Sequence, residues 1–221
     1  PRAIWEKLVT QYRVTSEADR SAQILRVVLS ALHKIDKPLV DNLLDEILQD
    51  TDLAMVFPFL QCGVMLDHKA VERIEQSIAM KVAPMSIYLY FSHGRLNDPI
   101  DIGDFRKLLL LIAEQPDGFY VAVQILTMRL HSEKWASRPI NQDIAEICRA
   151  LLRLTNFEKA DKHDHSLAEI AKYCCSGAGG AEFVTAMVKI LKQAVDQNET
   201  YAFQNDELLA ALFGLQPCGA L

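Results

Sequence analysis

The stretch Ser21–Leu48 decides the fold, and its sequence is SAQILRVVLSALHKIDKPLVDNLLDEIL. Two stripes of apolar residues run through it at the three- and four-residue spacing of one helix face. The first stripe consists of Ile24, Leu25, Val28, Leu32 and Ile35, and the second of Leu39, Leu43, Leu44, Ile47 and Leu48. Pro38 separates them and suits the first turn of a helix, where its missing N–H would have no partner. The stretch therefore predicts two helices joined by a short turn.

The same pattern continues along the rest of the chain. We predict twelve helices, at approximately residues 3–12, 16–35, 38–49, 52–62, 67–81, 84–94, 102–114, 117–132, 141–156, 164–175, 181–197 and 206–214. Gly63 and Gly94 each follow an apolar helical run and suit the left-handed position that ends many helices. Strand-forming residues occur at 86–91 and 119–123, but both segments also fit helical spacing. The predicted fold class is therefore all-α.

The predicted helices pair into units of similar length. After the opening pair, the first helices start near residues 38, 67, 101, 141 and 181, which gives units of roughly 30 to 40 residues, as in helical repeats. The apolar stripes, and the prolines or acids that open the first helices, resemble those of HEAT and armadillo repeats. This resemblance implies an irregular HEAT-like or armadillo-like α-solenoid in which residues 1–221 form a single repeat-like domain. A compact multi-helix bundle is the alternative.

Composition limits the class of protein. Of the 221 residues, 50% are hydrophobic and 24% are charged, which is typical of a globular protein and excludes a disordered chain. No run of about 18 apolar residues occurs, so no membrane span is predicted. The five cysteines are odd in number and irregular in spacing, which favours reduced thiols in a cytoplasmic protein. Because the chain begins at Pro1 rather than at methionine, we expect a fragment of a larger protein.

The net charge of −6 is concentrated in one segment, residues 36–67, which we call the acidic segment. Its charged residues are the base Lys37 and the acids Asp36, Asp41, Asp45, Glu46, Asp50, Asp52 and Asp67. One interpretation places these acids at helix N-termini and on solvated helix faces. The other is an acidic patch that binds a partner protein with a basic surface. For that second interpretation, the candidate binding residues are Asp41, Asp45 and Asp52.

A second candidate binding region surrounds Trp135 and Arg138, between the helices predicted at 117–132 and 141–156. A tryptophan with charged neighbours in a loop suits an exposed anchor for a partner protein. The alternative is that Trp135 folds back onto the core. The neighbouring stretch 129–162 is only weakly basic, which makes a nucleic-acid partner a poor candidate.

Two motifs suggest chemistry but lack essential parts. The sequence Asp161–His165, DKHDH, contains potential metal ligands, but Cys174 and Cys175 lie roughly 14 Å or more along the same predicted helix. The glycine-rich segment Ser176–Gly180 has no following lysine and no preceding strand, so it does not match a phosphate-binding loop. We therefore expect no bound metal, no cofactor and no catalytic residues.

These observations favour a protein-interaction, scaffold or regulatory domain within a larger intracellular protein. One alternative is an accessory helical domain of a nucleic-acid-binding or nucleotide-hydrolysing protein, whose active region lies outside residues 1–221. Another is an enzyme that gathers acids with His93, His131 or the histidines at 163–165. A pocket containing such groups would favour the enzyme, and a surface with exposed anchors would favour the interaction domain.

Overall fold

The computed structural model describes residues 1–155, 157, 163–175 and 179–215, and within them it confirms the all-α fold class. The described residues contain helices and connecting turns, with no strand among them. The chain divides into two compact units, which we call unit 1, Pro1–Asp104, and unit 2, Phe105–Leu221. No helix in this described part is long and apolar enough to cross a lipid bilayer.

Unit 1 is built from five α-helices and the start of a sixth. The α-helices are α1 Arg2–Val14, α2 Gln23–His33, α3 Lys37–Leu48, α4 Phe57–Gln61, α5 His68–Met80 and α6 Ile102–Ala113. Short 3-10 helices connect them at Glu17–Asp19, Ala54–Val56 and Met85–Ser92. Helix α2 contacts α3 and α4, and α3 contacts α5. The core side chains Val40, Phe57 and Ile74 are fully buried.

Helix α2 buries only part of the apolar stripe predicted for it. Leu25, Leu29 and Leu32 are buried, whereas Ile35 is 77% exposed and Ile24 is also exposed. The buried residues follow the spacing of one face; Ile24 lies off that face, and Ile35 lies beyond the end of α2 at His33. Thus the pattern located the helix but did not distinguish its buried side.

Unit 2 contains the rest of α6 and five further α-helices. These are α7 Gly118–Trp135, α8 Gln142–Leu152, α9 Asp164–Cys174, α10 Gly180–Asp196 and α11 Asp206–Leu215, with a 3-10 helix at Ala202–Asn205. Helix α9 contacts α7, α8 and α11. It is correspondingly buried along its length through Leu167, Ala168, Ile170 and Ala171. It is therefore the central helix of unit 2.

The first turn of α11 is capped by a residue of α9. The buried carboxylate of Asp164 accepts hydrogen bonds from the backbone N–H groups of Glu207, at 2.8 Å, and Leu208, at 2.9 Å. The first N–H groups of a helix have no partner inside the helix, and a side-chain oxygen usually supplies one. Burial raises the pKa of Asp164, although these hydrogen bonds act in the opposite direction.

Several predicted helix boundaries differ from the structure, most clearly in three places. The helix predicted at 16–35 begins only at Gln23, because Glu17–Asp19 forms a separate 3-10 helix and the Ser16 hydroxyl donates to the Asp19 carboxylate instead of capping backbone. The segment predicted at 84–94 is a 3-10 helix over Met85–Ser92. Helix α7 continues to Trp135 rather than ending at 132.

The two glycines predicted to end helices have different roles. Gly94 follows the 3-10 helix with a φ of +60°, which confirms the left-handed position. Gly63 does not have a positive φ. A Cβ atom at Gly63 would instead lie 2.7 Å from the backbone oxygen of Arg26 in α2. Glycine is therefore required at position 63 by the close approach of two backbone segments.

Candidate functional site

Most acids of the acidic segment are paired within unit 1. Six of its seven acids form ion pairs, with bases that mostly lie in α1 and α5. These pairs are Asp41–Arg73, Asp45–Arg73, Asp45–Lys69, Glu46–Arg2, Asp50–Arg13, Asp52–Arg13 and Asp67–Lys37. All three predicted binding acids therefore have partners inside the chain. Their proposed role in binding another protein remains a prediction.

Arg73 is the centre of this arrangement, because its side chain is only 4% exposed. Its Nε donates to the Asp45 carboxylate at 2.6 Å, and its Nη2 donates to the Asp41 carboxylate at 2.9 Å and the Asp41 carbonyl at 3.0 Å. A buried guanidinium is tolerated only when its charge and its N–H groups have partners. The two aspartates of α3 therefore hold α5 against α3.

Two acids of the segment, Asp36 and the ion-paired Asp67, cap helices. Asp36 accepts from the backbone N–H of Leu39 at 3.0 Å at the start of α3, and Asp67 accepts from that of Ala70 at 3.1 Å at the start of α5. Partial burial raises the pKa of Asp67, but the ion pair with Lys37 and the capping bond outweigh it and lower the pKa overall. At these two positions the acids therefore cap helix N-termini, as the first interpretation of the acidic segment predicted.

Trp135 lies at the last position of α7, where it is 88% exposed. The alternative in which it folds back onto the core does not apply. After it, Ser137 adopts a left-handed φ of +51°, and the backbone N–H of Arg138 donates to the carbonyl of Glu133 at 3.2 Å. This is the Schellman arrangement that ends a helix, here with serine where glycine is usual. It places Trp135 and the chain that follows at the surface of unit 2.

Arg138 is held beside the end of α7 by a buried carboxylate. Its Nη1 donates to both Glu133 oxygens, at 3.2 and 3.4 Å. Glu133 also accepts from Nε of the buried Arg129 at 3.2 Å. One carboxylate therefore serves two guanidinium groups. Arg138 is about half-exposed, so this small cluster presents positive charge to solvent.

A groove of about 440 Å³ lies beside these residues within unit 2, and we call it the α7–α9 groove. It is lined by Thr127, Leu130, His131, Lys134, Arg138, Ile140, Glu169, Lys172 and Tyr173. Ile140 at its edge is 47% exposed. Lys134 and Arg138, which flank Trp135 in the sequence, both belong to the lining. Of the two binding residues predicted in this region, Arg138 therefore lines a concave surface. Trp135 directly follows another lining residue, Lys134, in the chain.

The α9 side of the groove contains an ion pair. Lys172 Nζ donates to Glu169 at 2.8 Å, and this hydrogen bond lowers the pKa of Glu169. The Tyr173 hydroxyl accepts from the backbone N–H of Asn141 at 3.0 Å, which joins α9 to the segment entering α8. Sequence analysis missed these α9 residues, because the signal arises from two helices that meet only in the folded chain.

The histidines singled out in the sequence have separate surroundings. His131 lines the α7–α9 groove together with Glu169. His93 packs edge-on against Tyr90, with ring centroids 5.1 Å apart, and His163 stacks on Tyr120 at 4.2 Å. His165 pairs with Glu207 at 2.7 Å. Within the described ranges, no three metal-binding side chains are grouped around a common point; residues 161 and 162 of the DKHDH motif lie outside those ranges.

The described cysteines pack as apolar side chains. Cys62, Cys148, Cys174 and Cys175 are buried and unbridged. Burial raises the pKa of Cys62 to about 12 and raises that of Cys148 still further. A thiol with a raised pKa is a poor nucleophile at neutral pH. Residues 176–178 of the glycine-rich segment lie outside the described residues.

Comparison of the chain with protein-family models, with curated proteins and with solved structures returned no match.

Proposed function

We propose that this chain is a protein-interaction domain, acting as a scaffold or regulatory segment of a larger intracellular protein, and that it binds its partner around Trp135 and the α7–α9 groove. The observation that supports this most directly is the 88% exposure of Trp135 at the end of a regular helix. Tryptophan carries a large apolar surface and is enriched among the residues that dominate binding energy at interfaces.

The surroundings of Trp135 support the same proposal. Helix α7 and the turn after it fix the backbone at this position, so little backbone conformational entropy remains to be lost on binding. Ile140 adds a second exposed apolar side chain at the groove edge. Burial of apolar surface contributes roughly 25 cal/mol per Å² before the costs of association are subtracted. One large rigid anchor beside a concave surface is the usual form of an interface centre.

The HEAT-like organisation belongs to this proposal as well. Helical hairpins repeated along a chain expose helix ends and turns in a row, and such rows commonly bind extended partners. The segment that follows Trp135 and contains Arg138 connects two of the proposed hairpins. The acidic segment is a weaker candidate for the binding surface, because its acids already have bases inside unit 1.

Selection from a displayed library of random peptides tests the proposal. The full chain is immobilised, the enriched peptides are synthesised, and their Kd values are measured against the wild type and against Trp135→Ala. We expect Trp135→Ala to weaken binding by at least about tenfold, as is typical of an interface anchor.

The matched control is Phe203→Ala, which removes another aromatic side chain of unit 2 that is 74% exposed. It is expected to leave the Kd values unchanged. Peptides that bind Trp135→Ala as tightly as the wild type, or a library that yields no binding peptide, would contradict the proposal.

A further inference from the structure

The charges of the α7–α9 groove are unbalanced toward the positive. Its lining contains three permanent cations, Lys134, Arg138 and Lys172, and among the described lining residues Glu169 is the one carboxylate. That carboxylate accepts from Lys172 at 2.8 Å, so the two neutralise each other. Lys134 and Arg138 remain as the charges that an incoming group would meet.

Arg138 still presents positive charge to solvent although it forms an ion pair with Glu133. Glu133 is shared between Arg138, at 3.2 Å, and Arg129, also at 3.2 Å. The negative charge of Glu133 is therefore divided between two guanidinium groups. Only Nη1 of Arg138 is used by Glu133, and Arg138 is about half-exposed. A guanidinium held in this way is suited to bind a second carboxylate through its other N–H groups.

The groove also offers apolar surface between these charges. Leu130 and Tyr173 are largely covered by the protein, and Ile140 stands exposed at the edge. A volume of about 440 Å³ accommodates one or two side chains rather than a folded surface. An occupant that fits must therefore place an apolar side chain and a negative charge close together.

We propose that the α7–α9 groove binds a short peptide segment of the partner protein in which an acidic side chain neighbours a large apolar one. This inference rests on the proposed function and specifies its partner. The apolar side chain lies against Leu130 and Ile140, and the carboxylate pairs with Lys134 and Arg138. This partner chemistry is the opposite of the basic surface that the acidic segment alone predicted.

A nucleic-acid strand fits these observations less well. Strands are bound along a continuous row of cations that neutralises several phosphates. Here the cations surround one small groove with an apolar floor, and the chain as a whole carries a net charge of −6. A peptide with one or two acids matches both the size of the groove and its charge.

The composition of peptides selected from the random library tests the inference. We expect the Trp135-dependent peptides to be enriched in Asp or Glu next to Leu, Phe or Trp. Replacing the acid of a selected peptide by its amide should weaken binding about fivefold or more at low salt, and the difference should shrink as salt is raised. The Kd is measured by fluorescence anisotropy with the labelled peptide.

Two charge-reversal variants locate the effect. Lys134→Glu is expected to weaken the binding of an acidic peptide about tenfold and to leave the binding of its amide version unchanged. Lys189→Glu, which changes an exposed lysine of α10 outside the groove lining, is expected to have no effect. Because Lys134 is exposed, thermal melting should show both variants folded as the wild type.

Each contrary result has a distinct meaning. Selected peptides that depend on Trp135 but are neutral or basic would overturn the inference of an acidic peptide while leaving the proposed function intact. Loss of Trp135 dependence would overturn both. Tight binding of a dT12 oligonucleotide that disappears in Lys134→Glu would assign the groove to nucleic acid instead.

Discussion

The acidic segment of unit 1 and the α7–α9 groove of unit 2 use charge in opposite ways. In the acidic segment, carboxylates are paired with bases of neighbouring helices, most completely around the buried Arg73. In the groove, Lys134 and Arg138 lie at the surface beside an exposed Trp135. The most strongly charged stretch of the sequence is therefore engaged in folding, and a nearly neutral stretch presents the binding candidate.

The difference arises from where the counter-charges come from. Four of the five bases that pair with the acidic segment, Arg2, Arg13, Lys69 and Arg73, lie before or after it in the chain. The charge of residues 36–67 alone does not include these four bases. Most of the excess negative charge is therefore offset once α1 and α5 pack beside α3.

The largest expected effect separates the folding role from a binding role. The double variant Asp41→Asn/Asp45→Asn leaves Arg73 buried without its two ion-pair partners. We expect it to lose about 2–3 kcal/mol of unfolding free energy, less than for a fully buried pair because Asp45 is half-exposed. Urea unfolding followed by circular dichroism measures the loss.

The matched control is Glu46→Gln. Glu46 lies in α3, as Asp41 and Asp45 do, and the substitution breaks its exposed ion pair with Arg2 of α1. Such a pair contributes less than about 1 kcal/mol. A double variant no less stable than this control would show that the acids do not hold α5 in place, and would return them to the list of binding candidates.

A smaller effect is expected on acidification. The pKa of Asp45 and that of Asp67 are both lowered: burial raises them, but the ion pairs with Arg73 and Lys37, together with weaker contributions, outweigh it. A carboxylate with a depressed folded pKa stabilises the fold above its ordinary value of 3.8, and this stabilisation is lost as the pH falls through the folded pKa.

Urea midpoints measured between pH 6 and pH 3 check this expectation. The midpoint should stay level at the upper end and fall below about pH 4, where ordinary aspartates begin to protonate. In the Asp41→Asn/Asp45→Asn variant the fall should be shallower. An identical profile for variant and wild type would mean that the Arg73 pairs do not contribute to the acid sensitivity.

The smallest expected effect concerns Trp135, in the other of the two regions compared. Because Trp135 is 88% exposed, Trp135→Ala removes few contacts, and the unfolding free energy should change by less than about 0.5 kcal/mol. Differential scanning calorimetry provides the measurement. A loss above about 2 kcal/mol would show that the side chain packs on the fold, and would make weaker peptide binding uninformative about an interface.

Much of the helical framework could be predicted from local pattern. The apolar spacing and Pro38 correctly placed α3 and the body of α2, since both signals act within one or two helical turns. The end of α7 was wrong, because Ser137 takes the left-handed position that sequence rules assign to glycine. Trp135 therefore belongs to a helix end rather than to a loop.

The candidate site was predictable only in part. Trp135 and Arg138 stood out because an aromatic among charges is unusual in a connecting segment. Glu169 and Lys172 carried no such signal, since an ion pair three residues apart is ordinary on any helix surface. Their place in the groove lining depends on the packing of α9 against α7, which no local sequence pattern specifies.

Asp164 makes the last helix of unit 2 dependent on the central one. Helix α11 has only 10 residues, shorter than isolated helices that persist in water. Its first N–H groups are bonded by a carboxylate that lies 43 and 44 positions earlier in the chain. When α9 unfolds, α11 therefore loses its cap and its packing surface in one event, so α11 is expected to melt no later than the middle of unit 2.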